Sequence, residues 1–111
     1  MIMLDPNAET VAECRRLADG WAPTLRALAN PDRLLIALWL ADNACSVRDL
    51  ERVTGLSQSL VSYHLRALRQ EGLVASAAAG RANIYRLAHP DLDKLAALMG
   101  SLQSPASSPA G

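Results

Sequence analysis

Phenylalanine is absent from this chain, cysteine is held to two residues, and neither sign of charge is in excess, with 11 basic side chains against 11 acidic ones in 111 residues. Each shortage excludes something. Cys14 and Cys45 cannot build a disulfide framework. No apolar run approaches the roughly 20 residues of a membrane span, and Met1 to Pro6 lack the basic and apolar regions of a signal peptide. The expectation is a cytoplasmic protein with no membrane partner. β-Branched residues are few beside Leu and Ala, which favours helices over strands. Aromatic side chains are scarce, and Trp21 and Trp39 both sit inside apolar, helix-like patterns, as core anchors do. No Gly-rich phosphate loop, nucleophile elbow or metal-ligand set occurs, so neither an enzyme nor a bound cofactor is expected.

The charge balance hides a segregation. Between Ala44 and His89 stand Arg48, Arg52, Arg66, Arg69, Arg81 and Arg86 against only Asp49, Glu51 and Glu71. A basic middle between neutral-to-acidic flanks suits a nucleic-acid-reading module carried on a frame.

Apolar spacing organises the chain. Val11, Cys14, Ala18 and Trp21 form one helical stripe from Ala8 to about Trp21, with Gly20 and Pro23 punctuating its end and a short second helix running to Ala29. Asn30-Pro31-Asp32 reads as a helix start: an N-cap, a proline at the first helical position, and an acid at the positive end of the dipole. The helix that follows is apolar almost all round through Leu34, Leu35, Ile36, Leu38, Trp39 and Leu40, which predicts a central, buried element. Ser46 and Asp49 form a capping-box pattern opening a helix with Val47, Leu50 and Val53 inward. Thr54-Gly55-Leu56 turns, and Ser57 caps a second helix with Val61, Leu65 and Leu68 inward. Two short helices about a Gly-containing turn are the helix-turn-helix pattern. Leu73 to Ala75 and Asn83 to Leu87 read as strands of a hairpin with Ala79-Gly80-Arg81 between them. Pro90 to about Leu102 is an amphipathic helix with Leu92, Leu95, Ala96 and Met99 on one face. Residues 1–7 are expected to fray and 103–111, rich in Ser, Pro and Ala, to be disordered, leaving one domain over 8–102.

On the second helix of the pair, the residues off the inward stripe include Gln58, Ser59, Ser62, Tyr63, Arg66 and Arg69. Gln can pair bidentately with adenine, Ser serves either base, and Arg pairs with guanine or phosphate. A merely solvated helix face usually carries Glu–Lys pairs, and this one has none. His64 borders the inward stripe and reads equally as a core histidine or a base contact. Arg81 at the hairpin tip suits a narrow minor groove or is an ordinary solvated arginine.

Several motifs in order resemble one family. Ala27-Leu28-Ala29-Asn30-Pro31-Asp32-Arg33-Leu34 is similar to the "ALA-(D/N)-P-x-R-L" opening of the arsenical-repressor (ArsR) regulators. Leu56 to Leu68 resembles their recognition helix "LSQSxVSxHLxxL", with Tyr63 standing where relatives often have His. Glu71-Gly72-Leu73-Val74, Gly80-Arg81 and Ile84-Tyr85-Arg86-Leu87 resemble their wing. The resemblance implies a mostly α winged helix-turn-helix with a small β-hairpin wing, arranged α-α-α-α-α-β-β-α. It also implies a homodimer that represses transcription from double-stranded DNA until an inducer binds. The implied DNA contacts are Gln58, Ser59, Ser62, Tyr63, His64, Arg66, Arg69 and Arg81. The first and last helices would meet the partner through Val11, Cys14, Ala18, Leu92, Leu95 and Met99, and a two-fold dimer implies an inverted-repeat operator. A winged-helix module for protein interaction is the alternative, but its acidic or apolar replacements on the recognition face are not seen.

Two metal sites common among such relatives are not expected here. Where a "CVCDL" thiolate site would stand, the chain has Ser46-Val47-Arg48-Asp49-Leu50. Where a last-helix Asp/His set would stand, it offers His89 and Asp91 but then Leu102 and Pro105. Zinc needs about four N, S or O ligands, three at an open site. The remaining sensor candidates are the thiols, with Cys14 on an apolar stripe and Cys45 in an exposed loop, alongside a purely structural role for both.

Overall fold

The computed structural model describes residues 8–89 and 91–101. The order is α1 (Ala8–Leu28), α2 (Pro31–Asp42), α3 (Val47–Thr54), α4 (Gln58–Gln70), β1 (Val74–Ala79), β2 (Ala82–Leu87) and α5 (Leu92–Ser101). The expectations for residues 1–7 and 103–111, and for Leu102, lie outside the described residues.

Helix starts follow from local chemistry. The Asn30 side chain accepts the Asp32 and Arg33 backbone N–H groups at 3.0 and 3.1 Å, and Pro31 opens α2. Ser46 and Asp49 complete a reciprocal capping box: Asp49 N–H donates to the Ser46 hydroxyl (3.1 Å) and Ser46 N–H to the Asp49 carboxylate (3.2 Å). The Ser46 backbone and hydroxyl, followed by the Arg52 guanidinium at 2.7 Å, hold that carboxyl below its ordinary pKa.

α2 is the hub, packing against α1, α3, α4, α5 and β2. The best-buried side chains are Ile36, Leu50, Val61, Leu68 and Leu73, one or more from each of α2, α3 and α4 and from the approach to the wing. Removing a side chain of this size from water is worth roughly 1.5–3 kcal/mol. The hub is one-sided, however: Leu35, Leu38 and Trp39 of α2 are exposed, so Trp39 is not the core anchor its pattern implied. Trp21 is half-buried, its ring 5.5 Å from that of His89.

Two further expectations are corrected. The first helix does not break at Gly20 and Pro23, so four helices precede the hairpin rather than five. Proline removes one N–H, but the carbonyl it frees belongs to exposed Asp19, where water can satisfy it. Burial of Thr24, Ala27 and Leu28 against the core keeps the helix running past that point. Val53 is exposed rather than inward, because the short α3 turns only a narrow face, centred on Leu50, to the core.

The hairpin is antiparallel, from Val74 opposite Leu87 to Ala79 opposite Ala82. Gly80 has φ 64° and, among the described residues, no non-glycine residue has positive φ, which is the pattern of a II′ turn with Arg81 in second place. β1 extends through the Ala run beyond the expected Ala75, since pairing with β2 overrides weak intrinsic propensity. Just before α3, Cys45 exchanges backbone hydrogen bonds with Tyr85 (3.0 and 2.7 Å), tying the hairpin to the helix pair.

Candidate nucleic-acid interface

The α3–α4 unit is held at a fixed angle by its turn. Gly55 takes φ 76°, which an L side chain adopts only under strain. The Thr54 hydroxyl donates to the Leu50 carbonyl (2.6 Å) and accepts the Leu56 N–H (3.1 Å). Ser57 then caps α4 by accepting the Leu60 N–H at 3.2 Å.

α4 is two-faced. Val61, His64, Leu65 and Leu68 are buried, while Gln58, Ser59, Tyr63, Arg66 and Arg69 are exposed and Ser62 is half-buried. Gln58, Ser59, Ser62, Tyr63 and Arg66 together line one shallow hollow of about 330 Å³. α4 contains no carboxylate, so nothing on its outer face repels a phosphate backbone. Arg81 is exposed at the hairpin tip, apart from that hollow.

His64 is corrected: at 4% exposure it belongs to the core and cannot reach a base edge. Its Nε2 lies 4.0 Å from Asp32 Oδ2, and its Nδ1 is buried without a partner. A second hollow of about 450 Å³ between α3, α4 and the hairpin brings in two residues that sequence reasoning missed, Arg48 and Asn83, with Gln58 shared between the two hollows. The signal for Arg48 was available, since it stands in the first turn of the first helix of the pair. Asn83, read only as part of a strand, carried none.

The residues expected at a partner surface divide. Val11, Cys14 and Ala18 are exposed on α1, and Leu17 and Leu25 are exposed with them. Leu92 is instead 3% exposed within the chain's own core, and Leu95 packs against that core, because the inner side of α5 is already occupied by α2. Met99 is half-buried beside a cavity between α2 and α5 lined by Leu38 and Ala96 among others. Cys14 is exposed on α1, whereas Cys45, read as an exposed loop thiol, is buried, covered where its strand-like segment meets Tyr85. Among the described residues, no group of three or more His, Cys, Asp or Glu side chains could hold a metal ion, and no helix is long and apolar enough to cross a membrane.

Comparison with known proteins agrees with this arrangement. The sequence profile described as "Bacterial regulatory protein, arsR family" matches residues 30–76. The transcriptional regulator NmtR of Mycobacterium tuberculosis is 47% identical over 66 residues, covering 60% of this chain. The match spans 55% of NmtR, little more than half of that protein. The regulator YgaV of Escherichia coli is 31% identical over 96 residues, 86% of this chain and 97% of YgaV. A homodimeric winged helix-turn-helix DNA-binding domain from Mycobacterium bovis, described as a possible ArsR-family regulator, superposes with a TM-score of 0.68 at 33% identity. That superposition covers 88% of this chain and 87% of that one.

Proposed function

Because the chain belongs to the ArsR family of winged helix-turn-helix regulators, we propose that it is a sequence-specific DNA-binding transcriptional regulator, acting as a homodimeric repressor on an inverted-repeat operator. It works by binding rather than catalysis, in the cytoplasm where its DNA lies. The observation that carries this reading is the outer face of α4: Gln58, Ser59, Ser62, Tyr63 and Arg66 share one hollow on the second helix of a helix-turn-helix, with no carboxylate among them. A recognition helix enters the major groove by such a face, and two of them related by a two-fold axis reach half-sites about one helical turn apart.

Gln58 and Ser62 are assigned to base edges. Arg69 in the last turn of α4, Arg48 at the start of α3 and Arg81 at the wing tip are assigned to phosphate or minor groove. The exposed apolar positions of α1, Val11, Leu17 and Leu25, supply the partner surface together with Ala18 and Cys14. For release from DNA, Cys14 is the thiol a soft metalloid or an oxidant would meet first, since Cys45 is covered.

The test is a gel shift on DNA upstream of the protein's own coding region, repeated over a salt series. Gln58→Ala and Ser62→Ala should alter sequence preference. Arg69→Ala should weaken every sequence alike and flatten the salt dependence by about one unit of slope. A uniform loss from all three substitutions would overturn the division into reading and positioning residues, and wild-type protein that binds no duplex would overturn the function.

A further inference from the structure

We infer that His64 is a positioning residue for operator binding, holding the recognition helix against Asp32 of α2, and that DNA binding is coupled to its protonation. This rests on the DNA-binding reading above.

The inner stripe of α4 is Val61, His64, Leu65 and Leu68, so the imidazole is its one polar member. Packing does not explain it. A buried nitrogen left without a hydrogen bond weakens a fold, whereas an aliphatic side chain there would not. His64 Nδ1 is such a nitrogen. Nε2 points to the other helix: it stands 4.0 Å from Asp32 Oδ2, beyond a hydrogen bond but within reach of charge attraction. Asp32 sits on the first turn of α2, anchored by its own N–H to the Asn30 cap. On its other side the imidazole meets Tyr63 edge to face, with ring centres 5.3 Å apart. Tyr63 is 58% exposed on the outer face. Asp32, His64 and Tyr63 therefore form a continuous chain from the α2 N-terminus, through the recognition helix, to the surface that meets DNA.

The charges around this chain set the sign. From α2 comes Asp32, whose carboxylate favours a protonated ring, and Arg33 follows it in the same turn. From the end of α1 comes Arg26, which lines a hollow of about 200 Å³ with Arg33, Ala67, Gln70 and Glu71. In α3, Asp49 and Arg52 pair with each other, and Arg48 and Glu51 line the hollow beside the wing. β1 carries no titratable side chain. In the free protein the ring faces the Asp32 carboxylate at 4.0 Å, with its other nitrogen unpartnered. Phosphates arriving at α4 add negative potential and shift the balance toward the protonated ring. The complex then holds more protons than the free protein, and by reciprocity affinity rises as pH falls through the range where histidine changes charge.

The experiment measures operator affinity by fluorescence anisotropy at constant ionic strength between about pH 8 and pH 6. Wild type should tighten about fivefold across that range. His64→Gln and Asp32→Asn should each flatten the profile, their combination should flatten it no further, and Asp32→Glu should restore part of the slope. His89→Gln removes the other histidine in the chain and should leave the slope intact. If His64→Gln does not fold, Asp32→Asn, which alters a half-exposed carboxylate, answers alone. A slope that survives Asp32→Asn, or no slope in wild type that binds DNA, overturns this inference and leaves the function standing. Wild type that binds no DNA overturns both.

Discussion

α1 carries a single apolar stripe and α2 is apolar almost all round, and they meet different fates. In α2, Ile36, Ala37 and Leu40 are buried within the chain. In α1, every residue from Val11 to Gly20 is exposed, and the core is reached only from Trp21 onward, through Trp21, Thr24, Ala27 and Leu28. Periodicity states that a helix has a face to bury, but not what will cover it. Most helical stability in proteins comes from packing of an apolar face, and from Val11 to Gly20 the chain's own elements leave the face of α1 uncovered. One region of the molecule is therefore complete as a single chain, and the other is the one that the proposed homodimer would complete.

The largest expected effect tests the self-contained region. Leu50→Ala empties a fully buried site and should cost about 3 kcal/mol in denaturant unfolding; a loss below about 1 kcal/mol would mean that the core does not close around α3. Next, Leu17→Asp places a charge on the open face of α1. It should weaken self-association at least about tenfold by sedimentation, through burial of an unpaired charge, and remove the concentration dependence of thermal unfolding. If it instead loosened the protomer's core as Leu50→Ala does, the contrast between the two helices would vanish.

Smaller effects sharpen the same line. Ser46→Ala removes a cap inside the self-contained region and should cost about 1 kcal/mol, independent of protein concentration. Smallest is the acid response of Asp49. Its folded-state carboxyl is held below the ordinary value of 3.8 by the Ser46 backbone and hydroxyl and by Arg52. Its contribution is thus full above that value and is lost as pH falls through the depressed one. Melting curves of wild type and Asp49→Asn should converge toward strong acid; curves that stayed parallel would show that the box adds nothing in solution.

What was legible in the sequence was whatever local chemistry decides. Asn30, Ser46 and Ser57 cap as read, and Gly55 turns as read, since each interaction spans four residues or fewer. The outer face of α4 was legible for the same reason: its period fixes which residues share a side. Misreadings came where a distant element decides. α1 runs through Pro23 because its last turn packs on the core. Leu92 is buried because α2 occupies its side, and Cys45 is covered because Tyr85 pairs with its backbone. His64 stood on the boundary of the stripe, and the packing of α4 on the rest of the chain, with Val61, Leu65 and Leu68 buried beside it, placed it inside.

The bridge between Cys45 and Tyr85 bears on how such a protein can diverge. The wing is tied to the helix pair there by two hydrogen bonds between main-chain groups, and every amino acid except proline carries both partners of that tie. Mutation can therefore rewrite the chemistry of the wing at Arg81 or Asn83 while the hairpin stays docked where it is. The only exchange at positions 45 and 85 that this tie forbids outright is one to proline, which leaves lineages free to retune recognition without first redesigning the joint.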